Sequence, residues 1–218
     1  MNMQQSLKIN ALGIGCFAAI TAALIAVTFV LTKTPIEENV RRQKTAKLYE
    51  IIPTDKFDND LFNDTIAIDG TEFGYSHNIK AHVASADGRI TTIIFPVLSS
   101  QGYSGDISLL VGINADTSIA GVRVISHTET PGLGDKLELK KSPWLRSFDG
   151  LKKTPMQPWA VKKDGGQFDQ FTGATITPRA VVNAVGKSLD YFHKYRQRLL
   201  DTSVLSADKN TGEATHGN

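Results

Sequence analysis

The stretch DISLLVGINADTSIAGVRVISH, residues 106–127, carries the strongest β-hairpin pattern in the chain. Two runs rich in Ile, Val and Leu flank a polar NAD segment, which favours a turn. Similar apolar runs precede it at residues 65–69 and 90–98, and an Asp-Gly pair at residues 87–88 is a further turn signal. The pattern predicts a sheet built from antiparallel hairpins.

The residues after this hairpin favour helices. Short helical pieces are predicted at DKLELKK (135–141) and SPWLRSF (142–148), followed by a strand at residues 159–162. A long helix is predicted to begin at Pro178, with Thr177 as its N-cap. The fold class is therefore α+β. Apolar residues with a period of about 3.6 define one face of the long helix: Val181, Val182, Val185, Leu189, Phe192 and Leu199.

Residues 11–32 carry no charged side chain, and a helix of that length covers the ~30 Å hydrocarbon core of a bilayer. A secretory signal is the alternative, but its apolar region is usually only about 7–15 residues long. We expect an uncleaved anchor at residues 1–33 and a stalk helix at 34–53, in which Thr34 is the cap and Pro35 the first helical residue. A single folded domain would then occupy residues 54–201, before a disordered tail at 202–218.

Composition narrows the function classes. The chain has 218 residues, of which 41% are hydrophobic and 21% charged, as in a folded protein. A net charge of +2, without basic clusters interleaved with aromatics, argues against a nucleic-acid partner. Cys16 is the only cysteine and lies in the apolar span, so the rest of the chain has no disulfide, thiolate metal site or cysteine nucleophile. Redox chemistry would require an added cofactor.

Two segments near the hairpin are candidates for a site. The first, Gly102-Tyr103-Ser104-Gly105, resembles a serine nucleophile elbow, but that motif needs glycine where this chain has Asp106. The second, HTETPGLGDK at residues 127–136, follows a predicted strand and contains a Pro-Gly turn signal. A structural loop explains its glycines, yet its carboxylate and hydroxyl side chains also suit a polar ring system.

The third candidate is FTGATITPRAVVNAV, residues 171–185. A helix start explains its Thr-Pro pair but leaves TGAT unexplained. The amides at a helix N-terminus, together with small residues and hydroxyl groups ahead of it, suit a phosphate. On the pattern alone, a structural turn and a phosphate site both stay open.

The run TGATIT, residues 172–177, resembles the signature of proteins that carry FMN through a phosphoester to a threonine hydroxyl. The His-x-Glu-Thr-Pro-Gly-Leu-Gly loop and the Gly-Tyr-Ser-Gly segment occur in the same family. With one N-terminal anchor, the chain resembles the G subunits of the Rnf (Rsx) ion-translocating electron-transport complex over about residues 7–200. That family is related to the C subunit of the sodium-translocating NADH:quinone oxidoreductase.

The resemblance implies a covalent FMN on Thr175, attached by a separate flavin transferase that uses FAD and magnesium. It implies an FMN-binding domain at residues 54–201, with no catalytic residue and no protein-bound metal in this chain. The remaining residues that it places near the cofactor are Glu129, Thr130, Leu133 and Gly134 along the flavin, Thr172, Gly173, Ala174 and Thr177 around the phosphate, and Tyr103 and Ser104.

The resemblance also implies a non-autonomous redox subunit in the bacterial inner membrane, bound to lipid and to other subunits, with its domain in the periplasm. The charge count opposes this orientation, because more basic residues follow the span than precede it. Two other functions stay open: an anchored binding or scaffold domain without cofactor, and a hydrolase that uses Ser104.

Overall fold

The computed structural model describes residues 3–202. The predicted disordered tail at residues 202–218 therefore lies outside the described residues, except for Thr202. The chain divides between Lys44 and Thr45 into two compact units. The predicted α+β class is confirmed, since an apolar N-terminal helix precedes an antiparallel sheet and a C-terminal helix.

The N-terminal helix, α1, runs without a break over Met3–Ile51. The predicted helix start at Thr34 and Pro35 is therefore wrong, because Pro35 lies inside α1. Proline removes one hydrogen bond, the one to the carbonyl of Leu31, and the helical conformation continues on both sides. The predicted helix end before Pro53 is confirmed. Within the described residues, one helix is long and apolar enough to cross a membrane, Asn10–Ile51.

The sheet has five strands in sequence order, and every neighbouring pair is antiparallel. Four strands confirm the predicted runs. The polar NAD segment, residues 114–116, lies at the turn between the last two strands, as expected. A strand at residues 79–86 was not predicted, because its sequence IKAHVASA is rich in residues with low strand propensity. The strands are β1 (Thr65–Ile68), β2 (Ile79–Ala86), β3 (Arg89–Ser99), β4 (Ile107–Asn114) and β5 (Ile119–Ser126).

One face of the sheet packs against the C-terminal helix α2, Ile176–Leu199. Alternate residues of the central strands, such as Phe95 and Val111, point to this face, as the two-residue period of a strand requires. All six residues of the predicted apolar helix face are buried in this core. The predicted amphipathic helix is thus confirmed, with its start moved to Ile176.

The other face of the sheet packs against the last turn of α1 through Leu48, Ile51 and Ile52. Gly112 of β4 lies opposite Gly121 of β5, and a Cβ at Gly112 would come within 2.5 Å of Ile51 Cγ2. The paired glycines therefore form a notch that admits the Ile51 side chain.

Two basic side chains reinforce this packing with three hydrogen bonds. The buried Arg123 guanidinium donates to the backbone oxygen and to the carboxylate of Glu50, at 2.6 and 3.1 Å. Lys47 Nζ donates to the carbonyl of Val124 at 2.5 Å. Because Arg123 and Val124 both lie on β5, the end of α1 is fixed to this strand. β5 leads into the segment ETPGLG, residues 129–134, called the ETPGLG loop below.

The region between β5 and α2 has little regular structure. The two predicted helical pieces appear as short 3-10 helices, Asp135–Leu137 and Trp144–Phe148. The predicted strand at residues 159–162 is wrong, since only an isolated bridge joins Val161 to Phe168. Trp159 packs against α2 instead of pairing in the sheet, and its indole N–H donates to the carbonyl of Val182 at 2.9 Å.

Candidate functional site

Sheet topology brings the three candidate segments to the same end of strands β3, β4 and β5. In the antiparallel pair of β4 and β5, the start of β4 pairs with the end of β5, as in the register of Ser108 with Ser126. The Gly-Tyr-Ser-Gly segment enters β4 and the ETPGLG loop leaves β5, so the two loops are neighbours. The N-terminal part of α2 reaches the same end of the sheet. There Ser99 Oγ, at the end of β3, donates to the carbonyl of Ala180 at 3.4 Å.

These segments enclose a cleft of about 160 Å³. Its walls include eight residues that the sequence resemblance places near a flavin, and one, Ile176, that it does not. Ile176 is an apolar side chain at the exposed start of a helix, which is the one sequence signal that could have indicated it. The lining residues are Tyr103, Glu129, Thr130, Leu133, Gly134, Gly173, Ala174, Thr175 and Ile176.

The remaining three predicted residues do not line the cleft. Thr172 and Ser104 are exposed nearby, and Thr177 is fully buried beneath it. The Ser104 amide donates to Glu129 Oε1 at 3.0 Å and its carbonyl accepts from Thr128 Oγ1 at 3.0 Å. Within residues 3–202, no base hydrogen bonds to the Ser104 hydroxyl, which leaves the hydrolase alternative without structural support.

The start of α2 differs from the sequence-based prediction. The helix begins at Ile176 and its N-cap position is Thr175, so Thr177 is not the N-cap and Pro178 is not the first helical residue. The Thr177 hydroxyl instead donates to Glu129 Oε2, a contact 48 residues away that local pattern could not indicate. Thr175 is a partly buried residue of the cleft wall, and its side chain makes no capping hydrogen bond.

The TGAT turn and the helix start suit a phosphate. Gly173 has φ of +81°, a conformation that favours glycine, and Ala174 adds little bulk. The first amides of a helix have no intrahelical acceptors, and the helix dipole adds positive potential there. The one cation in the first turn, Arg179, is paired with Asp164 at 2.6 and 2.8 Å. Charge stabilisation of an anion at this turn therefore falls to the backbone amides.

Three apolar side chains of the cleft wall are exposed. Tyr103, Leu133 and Ile176 expose 69%, 43% and 44% of their surfaces, although most large apolar residues of this unit are buried. An aromatic ring system could cover such side chains. The residues present therefore fit a flavin nucleotide, with Thr175 and the α2 amides at the phosphate and the apolar side chains at the ring.

Ion pairs behind the ETPGLG loop hold it in shape. Lys141 pairs with Glu138 at 2.6 Å and with Asp135 at 3.1 Å, and His127 Nε2 lies 3.4 Å from Glu138. A hydrogen bond from the backbone of Gly132, with Lys141 beside it, holds the pKa of Asp135 below its ordinary value. Lys141 likewise lowers the pKa of Glu138. Within the described residues, no group of three or more metal-ligating side chains is present.

Known proteins are similar in sequence to this chain over about nine tenths of its length. The FMN-binding domain family matches residues 102–190, and the RnfG N-terminal region family matches residues 1–51. The G subunit of an ion-translocating oxidoreductase complex from Vibrio atlanticus is 42% identical over 91% of this chain and 96% of its own length. Proteins of the same name from Pseudomonas aeruginosa and Shewanella piezotolerans are 44% and 41% identical, over 90% and 91% of this chain and 94% and 95% of their own lengths. The chain therefore belongs to the family of G subunits of ion-translocating oxidoreductase complexes.

Proposed function

We propose that the chain is a membrane-anchored electron-transfer subunit that carries FMN covalently on Thr175. The observation that supports this most strongly is the cleft itself. Three segments far apart in sequence meet around it, inside the residues that match the FMN-binding domain family. Thr175, whose side chain makes no capping hydrogen bond, lies in the cleft wall at the N-cap of α2.

The attachment needs no catalytic base in this chain. A separate flavin transferase would join the Thr175 oxygen to the FMN phosphorus of FAD, with AMP as the leaving group and the hydroxyl proton released. The resulting phosphodiester keeps a negative charge, which the α2 N-terminus stabilises by roughly 0.3–1 kcal/mol through the dipole. Covalent linkage keeps the cofactor on a site whose volume is smaller than the ~300–1,000 Å³ of pockets that bury a whole ligand.

The shallow cleft also suits electron transfer. FMN supplies the redox chemistry, and the chain sets its position, its solvent access and its electrostatic surroundings. Because a cleft of about 160 Å³ is too small to bury a whole flavin, part of the ring would stay accessible to a redox partner. That partner would be another member of an ion-translocating complex, as the names of the relatives indicate.

The membrane arrangement follows from the same assignment. We place an anchor at residues 1–33, a stalk at 34–53 and an FMN-binding domain at 54–201. The domain faces the periplasm of a bacterial inner membrane, in contact with lipid at the anchor. The apolar helix Asn10–Ile51 supports the membrane location, while the orientation rests on the family resemblance.

Flavin fluorescence on a denaturing gel tests the proposal. The full chain, produced in a host that has the flavin transferase, should give a fluorescent band that survives denaturation. Thr175→Ala should abolish the fluorescence, whereas Thr172→Ala should keep it, because Thr172 lies outside the cleft. A colourless wild-type protein would contradict the proposal and favour an anchored binding domain without cofactor.

A further inference from the structure

Glu129 is a buried carboxylate in the wall of the cleft. It is 5% exposed, and both of its oxygens accept hydrogen bonds, Oε1 from the Ser104 amide at 3.0 Å and Oε2 from the Thr177 hydroxyl. Both oxygens of the carboxyl group therefore act as hydrogen-bond acceptors. The side chain therefore joins the Gly-Tyr-Ser-Gly segment, the ETPGLG loop and α2.

Two glycines make room for this carboxylate. A Cβ at Gly102 would lie 2.8 Å from Glu129 Oε1, and a Cβ at Gly134 would lie 2.8 Å from Oε2 and from the Glu129 Cβ. Real Cβ atoms do not approach other atoms so closely, so Gly134 needs to be glycine while Glu129 keeps this conformation. At Gly102 the carbonyl oxygen of Gly105, 2.1 Å from such a Cβ, adds a second and closer obstacle. The site around the carboxylate is thus built from both loops, independently of any ligand.

The charge of Glu129 has no cation beside it. Among residues 3–202, no Lys, Arg or His nitrogen lies within ion-pair distance of its carboxylate. The two other acids of this region, Asp135 and Glu138, both pair with Lys141. Asp135 and Glu138 thus share one cation, whereas the carboxylate in the cleft wall has neutral hydrogen-bond donors only.

We propose that the buried charge of Glu129 lowers the midpoint potential of the flavin bound in the cleft. This inference rests on the proposed function. Reduction adds electrons to the flavin ring, and the ring gains net negative charge when proton uptake does not match electron uptake. A fixed anion nearby raises the free energy of that reduced form, and the effect is large where little water screens it. Glu129 is in this sense a positioning and electrostatic residue rather than a proton donor.

Glu129→Gln provides the first test. The amide can replace the carboxylate, since its oxygen can accept from the Ser104 amide while its nitrogen donates to the Thr177 hydroxyl. Gel fluorescence first establishes that the variant carries flavin. A spectroelectrochemical titration in mildly alkaline buffer should then give a more positive midpoint potential than in the wild type. Glu138→Gln is the matched control, because it removes a charge that Lys141 already offsets, and its shift should be clearly smaller.

Thr177→Val separates electrostatics from loosened structure. This variant keeps the negative charge but removes one of its two hydrogen-bond donors, so the midpoint potential should shift in the negative direction. Loosening of the loops would shift the potentials of both variants in the same direction. Equal signs for Glu129→Gln and Thr177→Val, or an unchanged potential in Glu129→Gln, would overturn the inference.

The two proposals fail in different ways. If the wild-type protein lacks covalent flavin, the proposed function is wrong, and the role of Glu129, which rests on it, is refuted with it. If the wild type and variants are all fluorescent but their potentials do not differ as described, the function stands and the role of Glu129 is refuted. Should Glu129→Gln fail to fold, the negative shift in Thr177→Val remains as an independent test, and its absence would count against the inference.

Discussion

Gly134 shows how one residue in the cleft is constrained by another side chain. Its φ of −90° is open to any residue, so the backbone conformation does not require glycine. The requirement comes from Glu129, whose Cβ and carboxylate occupy the space of a Gly134 side chain, with Thr177 Oγ1 only slightly farther away at 3.1 Å. A substitution here should therefore displace Glu129 directly.

We expect Gly134→Ala to lower the free energy of unfolding by about 1–3 kcal/mol, the typical cost of overpacking a buried site. Gly132→Ala is the control, since Gly132 has φ of +80° but open space around its Cβ. Its cost should be about 1–2 kcal/mol of backbone strain, without movement of Glu129. Urea unfolding measures both costs, and flavin absorption of the two loaded variants should change only in Gly134→Ala. An unchanged flavin spectrum in Gly134→Ala would contradict the assigned contact.

At the same scale, the sequence grouped neighbouring residues better than it predicted their contacts. The resemblance named eight residues that the fold brings to one cleft, because the three motifs are local runs that can be recognised without the fold. The contact between Thr177 and Glu129 was missed, since nothing local distinguishes a capping threonine from one that bonds to a distant loop. Ile176 was missed for a similar reason, because an exposed apolar residue carries no periodic signal.

At the scale of elements, the turn between β4 and β5 holds a carboxylate with a strongly altered pKa. Asp116 Oδ1 accepts from the Ser118 amide and hydroxyl at 3.0 and 2.6 Å, and Oδ2 lies 2.9 Å from Lys152 Nζ. The hydroxyl of Ser118, its amide and the nearby Lys152 lower the pKa of Asp116 from 3.8 to about 2. This turn joins β4 to β5.

A group with a lowered pKa in the folded state binds protons more weakly than in the unfolded chain. The stabilisation from Asp116 is therefore fully present above its ordinary pKa of 3.8, and is lost as the pH falls towards about 2. Asp116→Asn should be less stable than the wild type near neutral pH, and the difference should shrink as the solution is acidified. Urea unfolding at several pH values measures this, and a difference independent of pH would refute the assigned role.

Strand and helix prediction succeeded where side-chain periodicity reports burial directly. β3, β4, β5 and the buried face of α2 all follow such patterns. The prediction failed for β2, whose sequence lacks β-branched residues over most of its length, and for residues 159–162, where Trp159 packs on α2 instead of pairing in the sheet. It also failed at Pro35, since proline weakens a helix without necessarily ending it.

At the scale of the whole molecule, the proposal places the FMN-binding domain in the periplasm. This placement depends on how the whole chain is inserted in the membrane and not on any one site. Basic residues after the apolar span favour a cytoplasmic domain, whereas the family resemblance implies the periplasm. Charge bias weakens as a guide when a long domain follows the span, because long segments are translocated largely regardless of charge. We therefore expect the family orientation to hold.

Alkaline phosphatase fused after residue 53 should be active in cells, because this enzyme folds into its active form only after export. A fusion that replaces everything after residue 9, and so lacks the apolar span, is the control and should be inactive. An inactive fusion at residue 53, with the fusion protein present in the membrane fraction, would mean that the domain stays in the cytoplasm.

Mass spectrometry of the attachment peptide tests the central claim most directly. Trypsin cleaves after Lys163 and Arg179, which releases residues 164–179 as one peptide that contains Thr172, Thr175 and Thr177 as its only hydroxyl side chains. In protein from a host with the flavin transferase, this peptide should carry the mass of FMN minus water, and fragmentation should place it on Thr175. An unmodified peptide, or a flavin located on Thr172 or Thr177, would contradict the assignment.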